Sequence, residues 1–186
     1  MALAPIALIT ILYSLPVFGN RKTMFRIREI PYLKIFIIAF VWSFLTIILP
    51  VSRSSQTFSK TLLVLMLLER FFFVFAITIP FDVRDMKEDK RAGIKTIPTL
   101  LNEKTSYILS CLALLIFVII SFIHYQTWSA RSFILPVGIS AITTFVFLTV
   151  KRIRNLPYYY YGILDGTMLL QGLLFLIFSS LKICIL

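Results

Sequence analysis

Six long apolar stretches, separated by short runs that carry most of the charge, decide what this chain can become. They run from about Ala2 to Phe18, Tyr32 to Leu49, Leu62 to Ile79, Tyr107 to Tyr125, Phe133 to Val150 and Tyr158 to Phe178. A helix needs about 20 mostly apolar residues to cross the hydrocarbon core of a bilayer, and each stretch is long enough. Pro31 and Pro50 frame the second stretch, and Pro80 predicts the end of the third. With 59% hydrophobic residues among 186, the chain carries more apolar surface than a water-soluble core can bury. The expected fold is all-α: one domain over residues 1–186, a multi-pass transmembrane helical bundle of about six spanning helices.

Charge orients the bundle. Arg21, Lys22, Arg26, Arg28 and Lys34 fall in the first loop region, Arg84, Lys87, Lys90, Arg91, Lys95 and Lys104 in the third, and Lys151, Arg152 and Arg154 in the fifth. The second and fourth hold only Arg53, Lys60 and Arg131. Positive residues stay on the cytoplasmic side, so the odd-numbered loops are expected there and both termini on the other face. The net charge of +11 is split among these clusters, which predicts topology control and contact with anionic lipid. No soluble module exists to carry a nucleic-acid surface. Tyr158 to Tyr161 reads as an aromatic belt at the interface. Cys111 and Cys184 lie in apolar runs without ligand spacing and read as ordinary buried thiols. Met1 to Pro5 lacks a basic segment, so the first stretch is expected to remain in the membrane rather than act as a cleaved signal.

The segment from Pro80 to Pro98 is chemically unlike the rest. Asp82, Asp85 and Asp89 are spaced by three and then four residues, which puts three carboxylates along one face of a helix. Like charges so stacked repel, and Mg²⁺ is the natural relief, a hard cation that takes one or two carboxylates and fills its shell with water and phosphate oxygens. The interleaved Arg84, Lys87, Lys90, Arg91 and Lys95 offer complementary donors, so metal and cations together would hold a diphosphate. Gly93 allows a close turn past a ligand, and Pro98 starts a new direction. The plainer reading is a solvated loop whose acids and bases pair with one another.

Asp82-x-x-Asp85-x-x-x-Asp89, followed by Lys-Arg-Ala-Gly-Ile-Lys-Thr-Ile-Pro, closely resembles the second aspartate-rich motif of the UbiA-type intramembrane prenyltransferases. Tyr13-Ser14-Leu15-Pro16, with Arg21 and Lys22 after it, is similar to that family's tyrosine-serine-proline signature. The resemblance implies Mg²⁺-dependent transfer of a prenyl group from a prenyl diphosphate to a hydrophobic acceptor, aromatic or a lipid precursor, inside the cytoplasmic membrane. It implies Asp82, Asp85 and Asp89 as metal ligands, Arg84, Arg91 and Lys95 as diphosphate contacts, and Tyr13 and Lys22 approaching the same diphosphate. Members typically have nine helices and a first aspartate motif between the second and third. This chain carries no such motif and is similar to helices four to nine, an apparently N-terminally truncated domain. A missing N-terminal segment or a partner chain is then expected to complete the site. The alternative is an inactive relative serving as a membrane assembly or lipid-binding subunit.

Polar residues within the apolar stretches divide by expected role. Glu69 and Arg70 are adjacent on one helix and point apart, so each predicts its own partner on another helix. Asp165 is expected about 10 Å along the last helix. It reads as a buried carboxylate, either the acceptor of a proton in the reaction or a structural acid hydrogen-bonded to a tyrosine or Gln171. His124, the single histidine, reads as an interface residue. Phe71, Phe72, Phe73 and Phe75 read as lipid contact or packing. A transporter would place its acids near the midplane rather than at a helix mouth.

Overall fold

The computed structural model describes residues 32–127 and 131–185. All regular structure among them is helical. Helix α1 spans Leu33–Arg53, α2 Lys60–Arg91, α3 Ile97–Leu101 and α4 Glu103–Thr127. After a 3₁₀ turn at Arg131–Phe133 come α5, Ile134–Thr149, and α6, Lys151–Arg154. A π-helical stretch, Tyr159–Leu164, then leads into α7, Asp165–Ile185. Among the described residues, four helices are long and apolar enough to cross a membrane: Leu33–Arg53, Lys60–Arg91, Glu103–Gln126 and Tyr159–Ser180. The Phe133–Val150 stretch, expected to span, forms a shorter apolar helix, Ile134–Thr149, about 24 Å long at 1.5 Å per residue. The expected first span, Ala2 to Phe18, lies outside the described residues.

Local chemistry sets the helix ends. Ser59 caps α2 by accepting from the Leu62 amide at 3.2 Å. Asn102, at φ 73°, accepts from the Thr105 amide at 3.1 Å and so starts α4. At the end of α2, the Gly93 amide donates to the Lys90 carbonyl at 3.3 Å and the Ile94 amide to the Asp89 carbonyl at 2.8 Å. With Gly93 at φ 70°, this is a Schellman cap. A Cβ on Gly93 would meet nothing within 4 Å, so the turn requires glycine for its left-handed backbone and not for close approach.

Pro80 does not end the third apolar helix: α2 runs on to Arg91. Proline lacks the amide that would bond the carbonyl four residues back, here that of Ala76. The buried Ser110 hydroxyl of α4 donates to that carbonyl instead, and a re-satisfied backbone lets the helix continue. Pro50 likewise sits inside α1, one turn before its end. At 32 residues, α2 is about 48 Å long, well beyond a hydrocarbon core of about 30 Å. Its last three turns therefore project from the apolar layer.

Helix α2 is the centre of the bundle. Every residue from Phe73 to Pro80 is buried, the mark of a helix surrounded on all sides. Phe36 of α1 packs on Phe75 with ring centroids 5.0 Å apart, and Phe73 meets Phe117 of α4 at the same distance. The phenylalanine cluster thus serves packing. Buried Ser43 and Thr144 return their hydroxyls to carbonyls of their own helices, and buried Thr167 donates to the Leu164 carbonyl of the π-helical stretch before α7, which lets small side chains sit at helix contacts without orphaned donors. The outward faces stay apolar, as at Leu169, 72% exposed, and Ile142, 67% exposed; a lipid solvent accommodates such surface.

Glu69 and Arg70 find separate partners. Glu69 pairs with His124 Nδ1 of α4 at 2.6 Å, and Arg70 donates to Gln171 Oε1 of α7 at 2.5 Å. His124 is 2% exposed and belongs to the bundle interior, which corrects its reading as an interface residue. A buried acid in the neighbouring helix is the reason. Gln171 is thereby committed to Arg70 rather than to Asp165. Cys111 is a free, half-buried thiol; the side chain of Cys184 lies outside the described residues.

Candidate functional site

The projecting end of α2 carries the aspartates, and α1 runs antiparallel beside it. Lys34, in the first turn of α1, reaches across to Asp82 Oδ1 at 2.9 Å and lies 3.9 Å from Asp85 Oδ2. Asp82 is 2% exposed, so its carboxylate needs this cation or another close by. Asp85 is also held by Arg84, whose Nε and Nη2 donate to its two oxygens at 2.6 and 3.1 Å, a bidentate fork. The Arg84 guanidinium lies 5.4 Å from the Tyr160 ring centroid and 5.2 Å from that of Tyr161, within cation–π range. These tyrosines sit on the π-helical stretch, whose irregular register sets them over Arg84 and delivers Asp165 at its end.

Asp82, Arg84, Asp85 and Lys34 border one cavity of about 280 Å³ together with Asp165. Ile38, Trp42, Val74 and Met168 form its apolar wall. Charged groups gathered at one end and an apolar surface at the other make a shape for a ligand with an anionic head and a hydrocarbon tail. Asp165 is exposed rather than buried as expected, because it opens into this cavity, and among the described residues it has no hydrogen-bond partner.

Of the residues singled out by sequence, the structure brings together Asp82, Asp85, Asp165 and Arg84. Asp89 follows on the same helix, one turn further; its Oδ2 is buried without a hydrogen-bond partner among the described residues. Arg91 and Lys95 are exposed at the helix end and do not line the cavity. Tyr13 and Lys22 lie outside the described residues. Sequence reasoning missed Lys34, counted only as a topology charge. A lone lysine one residue into an apolar helix demands a partner, and that was the available signal. Tyr160 and Tyr161, read as an interface belt, cover Arg84.

Among the described residues no group of three or more His, Cys, Asp or Glu side chains stands ready to enclose a metal ion. Two carboxylates that already converge on the ammonium of Lys34, with an unsatisfied oxygen on Asp89, do fit Mg²⁺, which takes one or two protein carboxylates and leaves the rest of its shell to water and phosphate.

Comparison with known proteins supplies the decisive observation. A model of the UbiA prenyltransferase family matches residues 1–179. The chain belongs to the UbiA prenyltransferase family. Membership supports a prenyltransferase-type function in general terms; members of the family generally use Mg²⁺ and act on prenyl diphosphates and hydrophobic acceptors within the membrane. No curated protein and no solved structure matches the chain.

Proposed function

We propose that this UbiA-family chain binds a prenyl diphosphate with Mg²⁺ at the cavity between α1, α2 and α7 and transfers the prenyl group to an aromatic or lipid-precursor acceptor. The single observation that carries the reading is the convergence of Asp82, Asp85, Lys34 and Arg84 on one cavity with an apolar wall. Asp82 and Asp85 would hold the metal, with Asp89 acting through water. Bound there, Mg²⁺ supplies charge neutralisation for the diphosphate leaving group. Arg84, released from Asp85, and Lys34 donate to phosphate oxygens; Arg91 and Lys95 at the helix end, with Tyr13 and Lys22 of the preceding segment, take those that face water.

In the transfer, the bond between the allylic carbon and the diphosphate oxygen breaks and its electron pair leaves with the diphosphate. The acceptor forms the new bond to that carbon and gives up a proton. Asp165, which lines the same cavity and has no hydrogen-bond partner among the described residues, would accept it in this reading. The aspartate end faces the cytoplasm in this reading, supported by the run of Lys and Arg in the segments on that side.

A second reading has an observation of its own. Asp82 and Asp85 are compensated by Lys34 and Arg84 without any metal, as suits an inactive relative that acts as an assembly or lipid-binding subunit. One experiment separates the two: titration of the purified chain with a prenyl diphosphate, with and without Mg²⁺, and with Asp85→Asn as control. Saturable binding that needs both the metal and Asp85 supports the transferase reading. Folded protein that binds nothing supports the subunit reading.

A further inference from the structure

The larger cavity is not the one at the aspartates. A groove of about 790 Å³ runs between α4 and α5 and shares no lining residue with the aspartate cavity. Its walls are Ile108, Leu112, Leu115 and Val118 from α4 and Ile142 and Phe145 from α5. All six are exposed, from 36% at Val118 to 67% at Ile142. On α4 they recur every three or four residues, so they form one continuous stripe. From Glu103 to Val118 the groove follows α4 for about 22 Å, the length of an extended acyl chain.

The mouth of the groove differs from its walls. Lys104 at the start of α4, and Lys151 and Arg154 of α6, stand around it, with Glu103 the one acid. Two of these cations have no ion pair among the described residues. The third, Arg154, is only 4.0 Å from Glu103 Oε1 at its nearest nitrogen. Its guanidinium lies 4.1 Å from the Tyr107 ring centroid, and its Nε is buried with no hydrogen-bond partner among the described residues. Because α4 begins where α3 ends and α5 returns to the same side, this mouth opens on the membrane face that carries the aspartates.

We propose that the α4–α5 groove is a binding site for an anionic phospholipid, its phosphate among Lys104, Lys151 and Arg154 and one acyl chain along Leu112, Leu115 and Ile142. Charge complementarity selects the occupant. A zwitterionic headgroup would bring its own cation into a mouth that already carries net positive charge, and a free phosphate would leave the apolar walls unused. The site is independent of the prenyl diphosphate reading.

The test is native mass spectrometry of the full chain released from detergent micelles doped with phosphatidylglycerol and phosphatidylcholine of identical acyl chains. The expected result is about tenfold preferential retention of phosphatidylglycerol. That preference falls to near unity in Lys104→Gln/Lys151→Gln, whose exposed positions spare the fold, and persists in Arg152→Gln, a basic neighbour outside the groove. Ile142→Trp, which fills the trough, lowers retention of phosphatidylglycerol. Equal retention of the two lipids overturns the proposal, as does a preference that Arg152→Gln removes equally. Full competition by glycerol phosphate overturns it by showing a headgroup site without a groove. Competition by a prenyl diphosphate that Lys104→Gln/Lys151→Gln abolishes would return the groove to the substrate and overturn it as well. Failure of prenyl diphosphate to bind at the aspartates leaves the lipid result unaffected.

Discussion

Two charged regions of α2 solve the same problem in opposite ways. Around Glu69 and Arg70 each ionic group meets a polar partner of its own on a different neighbour, His124 on α4 and Gln171 on α7. Around Asp82 and Asp85 two acids share one lysine, one acid also chelates an arginine, and the group borders a cavity rather than a packed helix. In a low-dielectric interior a charge is tolerated when it is paired. Separate pairing closes a network and fixes three helices to each other. Shared pairing leaves carboxylate oxygens with capacity for another cation. The contrast predicts that the first region governs stability and the second governs ligand binding.

The largest effect should come from the closed region. Glu69→Ala leaves His124 without its acid and opens a void, so unfolding free energy should fall by about 3–4 kcal/mol, measured by denaturant titration in detergent. Folded protein that remains should bind prenyl diphosphate as the parent does. A loss below about 1 kcal/mol would put Glu69 outside the scaffold and break the comparison.

At the open region the sign of the effect moves to binding. Asp85→Asn should weaken Mg²⁺-dependent prenyl diphosphate binding about 100-fold, or about 2.7 kcal/mol, as read by calorimetry. Stability should change by less than about 1 kcal/mol, because the Asp85 side chain is 28% exposed and its fork with Arg84 is screened. Unaltered metal-dependent binding in this variant would remove Asp85 from the site.

Lys34→Met sharpens the contrast, since it should act in two directions at once. Without metal, Asp82 and Asp85 lose the ammonium between them, and stability should drop by about 1–2 kcal/mol, a value lowered by the 31% exposure of the lysine side chain. With metal, the competing internal cation is gone, so Mg²⁺ should stabilise the variant more than the parent. Equal stabilisation by Mg²⁺ in both proteins would mean that Lys34 and the metal do not contend for the same carboxylates.

The apolar lengths and the spacing of Asp82, Asp85 and Asp89 made the helical bundle and the acidic face of α2 legible in sequence, because both depend on residues close in the chain. Adjacency on a helix also foretold that Glu69 and Arg70 must part. Which partners they take was not legible, since His124 and Gln171 are 55 and 101 residues away. The role of Lys34 was hidden for the same reason, as 48 residues separate it from Asp82. Asp165 was foreseen as an acid of interest, but its exposure to the cavity arises from the π-helical stretch before it, and no periodicity in the sequence announces that register.

Pro80 is the sharpest case of local sequence being overruled, and it yields the smallest predicted effect. Helix α2 passes the proline because the Ser110 hydroxyl takes the Ala76 carbonyl that proline leaves unpaired. Ser110→Ala should therefore cost about 1 kcal/mol, the penalty of one buried acceptor without a donor. In a Pro80→Ala background the restored amide supplies that donor along the helix, and Ser110→Ala should then cost little. The coupling between the two sites should be about 0.5–1 kcal/mol in a double-mutant cycle. Additive effects would mean that the serine packs without bonding, and that the length of α2, which carries Asp82 and Asp85 out to the cavity, rests on packing by α4 rather than on this hydrogen bond.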